Sequence, residues 1–407
     1  MTVPNPMRRR SLSRRSALQA GAAALTMTAL GVGGSPLAAQ EATPTIDDSS
    51  FPAEDHLAFE AIVDSSLAST ATPGALVGIW YPGRGTWLRA AGIGDVTTAM
   101  PMSLDDHVRI ASNTKTFVAT VILQMVDEGT LALDDRLEES IPGVPNGTEI
   151  TLRQVLNMTA GIYDFVSDPV IMEGYSADPL LDFSPEDALE IVLGSTPDFA
   201  PGERVQYSNS NYILLGMIAE QVSGQSIESL IQTRILDPLD LTGTSFPTTS
   251  DMPSPYTRGY DEGDPGDALR DVTISNPSVP WASGAMISTL TDLGTWARAL
   301  AEGSLLSPDM QRERLQFGPI ETSPLSVGYG LGILSINGML GHNGGILGYS
   351  SWVVHDPETG ASIVVVTNRG GTEGGTADPI FIQIASYLFP EKFAALSDAT
   401  PAATPAS

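Results

Sequence analysis

Ser112 and Lys115 are the two residues whose types and spacing are best suited to chemistry. They stand three apart in Ser112-Asn113-Thr114-Lys115, and residues three apart share one face of a helix. A serine hydroxyl is a weak nucleophile until a base takes its proton. A lysine amine becomes that base when burial or a helix N-terminus lowers its pKa toward neutrality. The motif therefore predicts a nucleophile, a base and, in the Ser112 N–H, one donor to an oxyanion.

Two observations favour this interpretation over the alternative of a capping serine beside a surface lysine. Lys115 and Lys392 are the only lysines in a chain with 18 arginines, so lysine is unusual at any position. Arginine cannot act as a base, because its pKa exceeds about 12. Residues 114–127 also carry a wide apolar stripe, which predicts a helix packed into the core, with Lys115 at its beginning.

Two further motifs could complete a site. Tyr207-Ser208-Asn209 offers a tyrosine whose pKa a nearby cation would lower, and an amide that can both donate to and accept from a substrate. In His342-Asn343-Gly344-Gly345, the imidazole could supply charge or a hydrogen bond beside the nucleophile, and the two glycines let a substrate backbone approach a strand. The alternatives are a capping asparagine beside a packed tyrosine, and a glycine-rich hairpin with an incidental histidine.

Taken in chain order, the three motifs resemble those of the serine β-lactamase and penicillin-binding protein superfamily, whose related set is Ser-x-x-Lys, Ser-Asp-Asn and Lys-Thr-Gly. Tyr-Ser-Asn and His-x-Gly resemble its class C-type branch, closest to the secreted D-alanyl-D-alanine carboxypeptidases. Other stretches resemble the same branch: residues 150–157, 201–203, 207–216, 283–286 and 328–332. The likeness runs from about residue 54 to 388 and implies a β-lactamase/transpeptidase-like fold.

The resemblance implies two groups of site residues: catalytic Ser112, Lys115 and Tyr207, and substrate-binding Asn209, His342, Gly344 and Gly345. Ser112 would be acylated, and either Lys115 or Tyr207 would take the first proton. Asn209 would hold the substrate amide, His342 would replace the usual lysine of the third motif, and the Gly345 N–H would be the second oxyanion donor.

Three departures from the carboxypeptidase pattern bear on the substrate. The stretch 333–335 (Ile-Leu-Ser) lacks the arginine that would bind a free carboxylate, and Gly345 stands where relatives have a hydroxyl residue. Residues 158–161 read Met-Thr-Ala-Gly in place of His-Thr-Ser-Gly. Losing a charged contact costs about 1.5–3 kcal/mol, so we expect esters and amides with an uncharged tail to be better substrates than carboxypeptidase substrates.

The elements that must position these residues follow from hydrophobic periodicity. The pattern predicts helices over 54–67, 114–127, 211–222 and 379–388, and strands over 75–81, 85–94, 329–336, 350–355 and 361–367. Strands thus occur at both ends of the chain, and helices dominate about 141–280. This order predicts an α/β (α+β) fold in which one antiparallel sheet is built from both ends and flanked by helices, with a mostly helical lobe beside it.

The ends of the chain have a different composition. Residues 1–39 carry five arginines, a short apolar run and small residues, the order of a secretory signal, and Ser13-Arg14-Arg15 resembles a twin-arginine signal. An uncleaved anchor is the alternative. Residues 40–52 are interpreted as a linker, 53–390 as the hydrolase domain and 391–407 as a disordered tail. We expect export to the periplasm, cell envelope or medium.

Composition narrows the partners and cofactors. A net charge of −28 disfavours nucleic acid and favours a soluble monomer. The absence of cysteine, of His-Glu-x-x-His, of a Walker A motif and of Gly-x-Gly-x-x-Gly leaves no metal or cofactor predicted. The prediction is an exported serine hydrolase of the β-lactamase, D-Ala-D-Ala carboxypeptidase or esterase type, acting on small-molecule or peptide substrates such as peptidoglycan fragments or β-lactams. The alternatives are a non-catalytic module that binds β-lactams or peptidoglycan on the same fold, and an acidic surface protein.

Overall fold

The computed structural model describes residues 50–262, 268–320, 325–370 and 375–395. The helices in these ranges are α1 (Ala53–Ser69), α2 (Thr114–Asp127), α3 (Leu137–Ser140), α4 (Leu152–Leu156), α5 (Pro169–Ala177), α6 (Pro185–Gly194), α7 (Asn209–Ser223), α8 (Ile227–Ile231), α9 (Trp281–Gly284), α10 (Leu290–Glu302), α11 (Pro308–Arg314) and α12 (Asp378–Leu388). The strands are β1 (Gly74–Tyr81), β2 (Gly85–Asp95), β3 (Met100–Pro101), β4 (Val108–Arg109), β5 (Tyr260–Asp261), β6 (Arg270–Asp271), β7 (Ile287–Ser288), β8 (Gly318–Pro319), β9 (Val327–Tyr329), β10 (Leu334–Ile336), β11 (Met339–Ile346), β12 (Tyr349–Asp356) and β13 (Ala361–Thr367).

A nine-stranded antiparallel sheet runs in the order β3-β2-β1-β13-β12-β11-β10-β9-β8. Its first three strands come from the N-terminal part of the chain and the rest from the C-terminal part, which confirms the predicted sheet built from both ends. Strands β12 and β13 are buried over their whole length, because helices cover both faces. A strand covered on both faces reads as a continuous apolar run, which is why the Val-rich stretch of β13 could be recognised.

The two faces of the sheet carry different helices. On one face, Trp87 packs against Phe59 of α1, and Trp352 stacks on Phe381 of α12 with ring centroids 4.3 Å apart. On the other face, Trp80 packs against α10. Side chains alternate between the faces along each strand, so residues of β11 two apart point to the same side.

Helix α2 lies in the core beyond the sheet. It follows a 3-10 turn at Ala111–Asn113, spans the predicted 114–127, and is succeeded by Gly129 in the left-handed region. Every residue from Thr114 to Leu123 is buried, and α7 and α9 pack against the helix. A helix enclosed on all sides holds its first turn, and therefore Lys115, away from water.

One predicted strand is divided. The stretch 329–336 forms the end of β9 and all of β10, with a turn between them. Gly332 in that turn has a φ of 72°, and a Cβ there would overlap Ala119 of α2. The chain therefore turns where the pattern of apolar residues alone indicated a continuous strand.

The packed domain extends past both predicted boundaries. Phe51 is buried edge-on against Phe59, with centroids 5.2 Å apart. Phe393 is buried as well, and Lys392 donates to Asp356 at 2.7 Å. The domain thus includes residues placed in the predicted linker (40–52) and tail (391–407), because their aromatic side chains belong to the core. The predicted signal segment and residues 396–407 lie outside the described residues.

Candidate active site

Ser112 occupies the 3-10 turn that leads into α2. The turn is tied to β12, since Asn113 Nδ2 donates to Ser351 Oγ at 2.9 Å and Ser351 Oγ donates to the Ile110 carbonyl at 3.1 Å. Ala111, just before Ser112, is buried and has a φ of 51°, a conformation that costs a non-glycine residue about 1–3 kcal/mol and persists only where its surroundings enforce it. The serine is therefore held in one position by its neighbours.

Lys115 is fully buried with its amine among three oxygen atoms. Its Nζ lies 3.1 Å from Ser112 Oγ, 2.8 Å from Asn209 Oδ1 and 2.7 Å from the Ser283 carbonyl oxygen. Burial lowers the pKa of Lys115 to about 7, against a smaller opposite effect of the negative charge on Asp164. A neutral amine has two hydrogens and one lone pair. If Asn209 and Ser283 accept the two hydrogens, the lone pair is left for the Ser112 hydroxyl.

Tyr207 donates its hydroxyl hydrogen to Ser112 Oγ at 2.8 Å. The Tyr207 side chain is partly exposed, but the protein around its hydroxyl excludes enough water to raise the pKa of Tyr207, and the hydrogen bond to Ser112 opposes this only in part. The expected lowering by a neighbouring cation is not found, although Lys115 Nζ lies 4.8 Å from the tyrosine ring centroid. The reason is that burial penalises the phenolate directly, and Lys115, with a pKa of about 7, is already neutral at the high pH where a phenol ionises. Tyr207 therefore keeps its proton at neutral pH.

Asn209 is the first residue of α7 and joins Lys115 to an aspartate. Its backbone N–H and its Nδ2 donate to Asp164 Oδ1 and Oδ2, at 3.0 and 3.1 Å. Its Oδ1 accepts from Lys115. Within the ranges that the structure describes, no acceptor is seen for the second hydrogen of Nδ2, which leaves that hydrogen for a substrate.

The position of His342 differs from the expectation that it would supply charge or a hydrogen bond beside the nucleophile. The ring is buried, its Nδ1 donates to the Asn343 carbonyl, and its Nε2 accepts from the Tyr329 hydroxyl at 3.0 Å. Burial lowers the pKa of His342 to about 3, so the ring is neutral. Both ring nitrogens are engaged within the protein, and His342 supports Tyr329 next to Tyr207.

Gly344 and Gly345 lie in β11 near the serine turn. Strand β10 pairs with β11 at Met339–Gly341, and beyond that point β11 has β12 on one side and the serine turn against it. A Cβ on Gly344 would come within 2.5 Å of the Ile110 carbonyl and 3.0 Å of Ala111 Cβ. A Cβ on Gly345 would meet nothing within 4 Å. Gly344 thus permits the close approach of strand and turn, and Gly345 borders open space.

The structure brings together Ser112, Lys115, Tyr207 and Asn209, and it adds two groups that the sequence did not identify. Ser283 contributes its carbonyl oxygen at the end of α9, in a stretch noted only for its resemblance. Asp164 follows the Met-Thr-Ala-Gly stretch by three residues, and no local pattern marks it. Both act across long sequence separations, which a search for neighbouring residues does not reveal.

No group of three or more His, Cys, Asp or Glu side chains in the described part of the chain could hold a metal ion. No helix of the described residues has the length and apolarity to cross a bilayer. The chemistry on view is that of a buried amine, two hydroxyls and an amide. This set can activate a serine and move a proton.

Comparisons with known proteins agree with this arrangement. A family model described as "Beta-lactamase" matches residues 59–386. A D-stereospecific amidohydrolase from Streptomyces sp. is 33% identical, with a TM-score of 0.73 over 82% of this chain and 99% of that one. The D-amino acid amidase from Ochrobactrum anthropi SV3, solved with L-phenylalanine amide, is 27% identical, with a TM-score of 0.72 over 85% of this chain and 99% of that one.

A curated relative, protein flp of Staphylococcus aureus (strain NCTC 8325 / PS 47), is 29% identical over 327 residues, or 76% of this chain. The aligned region spans 62% of that relative's length.

Proposed function

The chain belongs to the β-lactamase family of serine hydrolases, and on that premise we propose that it is an exported enzyme that cleaves amide and ester bonds through an acyl-enzyme on Ser112. The observation that carries the proposal is the Lys115 amine, buried 3.1 Å from Ser112 Oγ with its pKa lowered to about 7. A base with a pKa near the working pH is the most effective acceptor of a nucleophile's proton.

The proton roles follow from the two pKa directions. Lys115 is neutral in a large fraction of molecules at pH 7 and accepts the Ser112 proton. Tyr207 has a raised pKa, so it enters the reaction as a donor. The Tyr207 hydroxyl donates to one lone pair of Ser112 Oγ. We assign Tyr207 as the proton donor to the leaving group.

These groups are sufficient to accept and supply every proton that is transferred during acylation. Ser112 Oγ forms a bond to the substrate carbonyl carbon while its proton passes to Lys115. The N–H groups of Ser112 and Gly345 are the donors we assign to the oxyanion. The bond to the leaving nitrogen or oxygen breaks, Tyr207 protonates the leaving atom, and the Lys115 ammonium restores the tyrosine proton. Water then hydrolyses the Ser112 ester.

We propose amino-acid amides and esters with an uncharged tail as the substrate class. Two structural relatives are named as an amidase and an amidohydrolase of D-amino-acid or D-stereospecific type. The stretch 333–335 supports an uncharged tail, since Ile333 is fully buried and no cation of that stretch could meet a carboxylate.

The second candidate, a non-catalytic module that binds peptidoglycan or β-lactam fragments, is disfavoured by the same geometry. Burying a lysine amine is costly unless its hydrogens are accepted. A binding surface gains nothing from a buried amine with a pKa near 7 held against a serine, whereas an acylation site depends on it.

The test of the enzyme is a covalent intermediate. We expect a fluorescent penicillin and an acid-quenched p-nitrophenyl ester to leave an adduct on Ser112, identified by mass spectrometry, in the wild type but not in Ser112→Ala. Ser65→Ala, an exposed serine of α1, is the matched control and should label like the wild type. A wild type that hydrolyses neither probe and carries no adduct would exclude the proposed function.

The test of the substrate class compares leaving groups. We expect kcat/KM for a D-amino-acid amide such as D-phenylalaninamide to exceed that for a peptide ending in D-Ala-D-Ala by at least about 10-fold, the scale of one missing charged contact. A preference for the peptide would show that the enzyme binds a free carboxylate after all, while leaving the Ser112 chemistry intact.

We also propose that the enzyme is exported and monomeric. The arginine-rich, acid-free N-terminal segment supports export, and the net charge of −28 supports a monomer. Light scattering of the purified chain would test the second point, since a dimer doubles the mass.

A further inference from the structure

Asp164 is a carboxylate beside the site that the reaction described above does not use. It lies just before a 3-10 turn at Phe165–Ser167 and is largely buried. Both of its oxygens accept from Asn209, at 3.0 Å from the backbone N–H and 3.1 Å from Nδ2. Burial raises the pKa of Asp164, whereas the charge on Lys115 and the Asn209 donor at each oxygen oppose this effect and favour the ionised carboxylate.

The location of Asp164 has a simple structural explanation, which is that it caps helix α7. A further role requires a contact that capping does not explain. Ser208, which precedes α7, makes no capping hydrogen bond with its side chain, and Asp164 accepts the first N–H of that helix instead. The segment is also fastened by the Phe165 N–H, which donates to Ser210 Oγ at 2.9 Å. A cap alone would account for the backbone contact, but not for the second oxygen on the Asn209 amide.

The amide orientation is the feature that a cap does not require. With Nδ2 on the carboxylate, Oδ1 of Asn209 faces Lys115 Nζ at 2.8 Å. In the flipped orientation, the amide oxygen would face the carboxylate and the NH₂ group would face the lysine amine, so both contacts would be repulsive. The orientation that Asp164 selects gives one lysine hydrogen an acceptor and leaves the lysine lone pair for Ser112.

We propose that Asp164 is a positioning residue for the acylation of Ser112: acting through Asn209, its carboxylate fixes the direction of the amide and holds a negative charge beside the Lys115 amine. The inference rests on the proposed function, since it concerns the same base. It separates two roles of one carboxylate, the orientation of the amide and an electrostatic effect on the lysine.

The electrostatic role has a definite sign. The other titratable groups that face Lys115 are Tyr207, Tyr212 and His342, and each is neutral near pH 7, because burial raises the pKa of both tyrosines and lowers that of His342. The negative charge of Asp164 favours the lysine ammonium and so raises the pKa of Lys115, against the larger effect of burial. Removing the charge must lower that pKa further.

The experiment is the pH profile of kcat/KM for p-nitrophenyl acetate, a substrate that does not ionise, followed at a wavelength where nitrophenol and nitrophenolate absorb equally. In the wild type we expect the rate to rise with pH through about 7, since only the neutral amine accepts a proton. In Asp164→Asn we expect this rising limb of the pH profile to move to lower pH by about one unit, the size of shift that one nearby charge produces. The plateau should fall about 10-fold or more, because an asparagine NH₂ opposes one of the Asn209 donors.

Asp168→Asn is the matched control. It makes the same change of charge four residues away, where the side chain caps α5 by accepting from the Val170 N–H, and asparagine caps as well as aspartate does. Its limb should coincide with that of the wild type. Each rate is divided by the concentration of active sites, measured by titrating Ser112 with a fluorescent penicillin. A partly folded preparation therefore does not distort the comparison.

A limb in Asp164→Asn that stays at the wild-type pH or moves upward would overturn the proposal, because a purely structural cap changes the active fraction and not the limb. If Asp164→Asn does not fold, Asp164→Glu is the second variant. It keeps the charge but displaces the oxygens, so we expect a wild-type limb with a lower plateau, and an undiminished plateau would refute the positioning role. A wild type without a Ser112 adduct would instead refute the proposed function, independently of either variant.

Discussion

Lys115 is the residue on which the chemistry depends, because its Nζ contacts the Ser112 nucleophile, the Asn209 amide and a backbone carbonyl of α9. The three oxygen atoms around its amine come from positions 112, 209 and 283. Desolvating a lysine is unfavourable by itself, and the low pKa is the direct expression of that cost. The protein retains this unfavourable group where it gains a base.

At this scale we expect Lys115→Arg to reduce the acylation rate by at least about 100-fold, the usual contribution of a general base, because guanidinium keeps its proton at any working pH. Single-turnover acylation of Ser112 by a fluorescent penicillin measures this rate.

Lys392→Arg is the matched control for that substitution. Lys392 is the only other lysine of the chain and forms ion pairs with Asp356 and Glu358, which arginine can also form. Its acylation rate should equal that of the wild type. If Lys115→Arg acylated nearly as fast as the control, the serine proton would have another acceptor.

The sequence allowed Ser112 and Lys115 to be paired because helix geometry makes contacts three residues apart predictable. It did not predict the pKa directions of His342 and Tyr207, which are set chiefly by burial, or the hydrogen bond between His342 and Tyr329 of another strand. The same limit applies to Asp164, which reaches Asn209 across 45 residues of sequence. Contacts that depend on how elements pack cannot be obtained from local spacing.

Strand β11 packs closely against the serine turn at the site. Gly344 is the residue that makes it possible, since the Ile110 carbonyl occupies the space of its missing side chain. The backbone of that turn cannot retreat freely, because Asn113 and Ser351 hold it to β12. Overpacking against a fixed backbone typically costs about 1–3 kcal/mol.

We therefore expect Gly344→Ala to lower the free energy of unfolding by about 1–3 kcal/mol, measured by denaturant titration. The neighbouring Gly345→Ala provides the comparison, because its new Cβ meets nothing within 4 Å and its effect should stay within about 0.5 kcal/mol. Equal effects on stability in the two variants would contradict the close packing of β11 against the turn.

Most elements were predictable because their patterns are unambiguous. Helix α2 has the predicted bounds, and β13 is a Val-rich run that only a doubly covered strand explains. The break between β9 and β10 was not predictable, since it depends on Gly332 lying against Ala119 of a distant helix. Residues 51 and 393 were misassigned because a single aromatic side chain in a polar segment gives no periodicity.

At the scale of the whole molecule, charge distinguishes the N-terminal segment from the rest of the sequence, and export remains our proposal. Acidic residues outnumber basic ones 48 to 20, yet the first forty residues contain no acid. This asymmetry separates a basic, apolar segment from an acidic domain. A twin-arginine route exports proteins after folding, which suits an enzyme whose site is assembled from distant parts of the chain.

We expect the double substitution Arg14→Lys, Arg15→Lys to retain the enzyme in the cytoplasm, since that export route reads the arginine pair and not the charge alone. Cell fractionation with a Ser112 activity probe measures the distribution. The matched control, Arg8→Lys with Arg9→Lys, makes the same replacement outside the pair and should be exported. Export of both double variants would rule out the twin-arginine route.

Because three oxygen atoms from different parts of the chain surround the Lys115 amine, the activity depends on the whole domain being folded. Two of them lie 94 and 168 residues away along the sequence, on α7 and α9, and the serine turn is anchored to β12. Any partial opening that parts these elements exposes the amine to water and returns its pKa toward that of an ordinary lysine. In a partly unfolded or proteolytically cleaved molecule, Lys115 is thus protonated at neutral pH and can no longer activate Ser112. We expect such a molecule to be inactive, not a non-specific esterase.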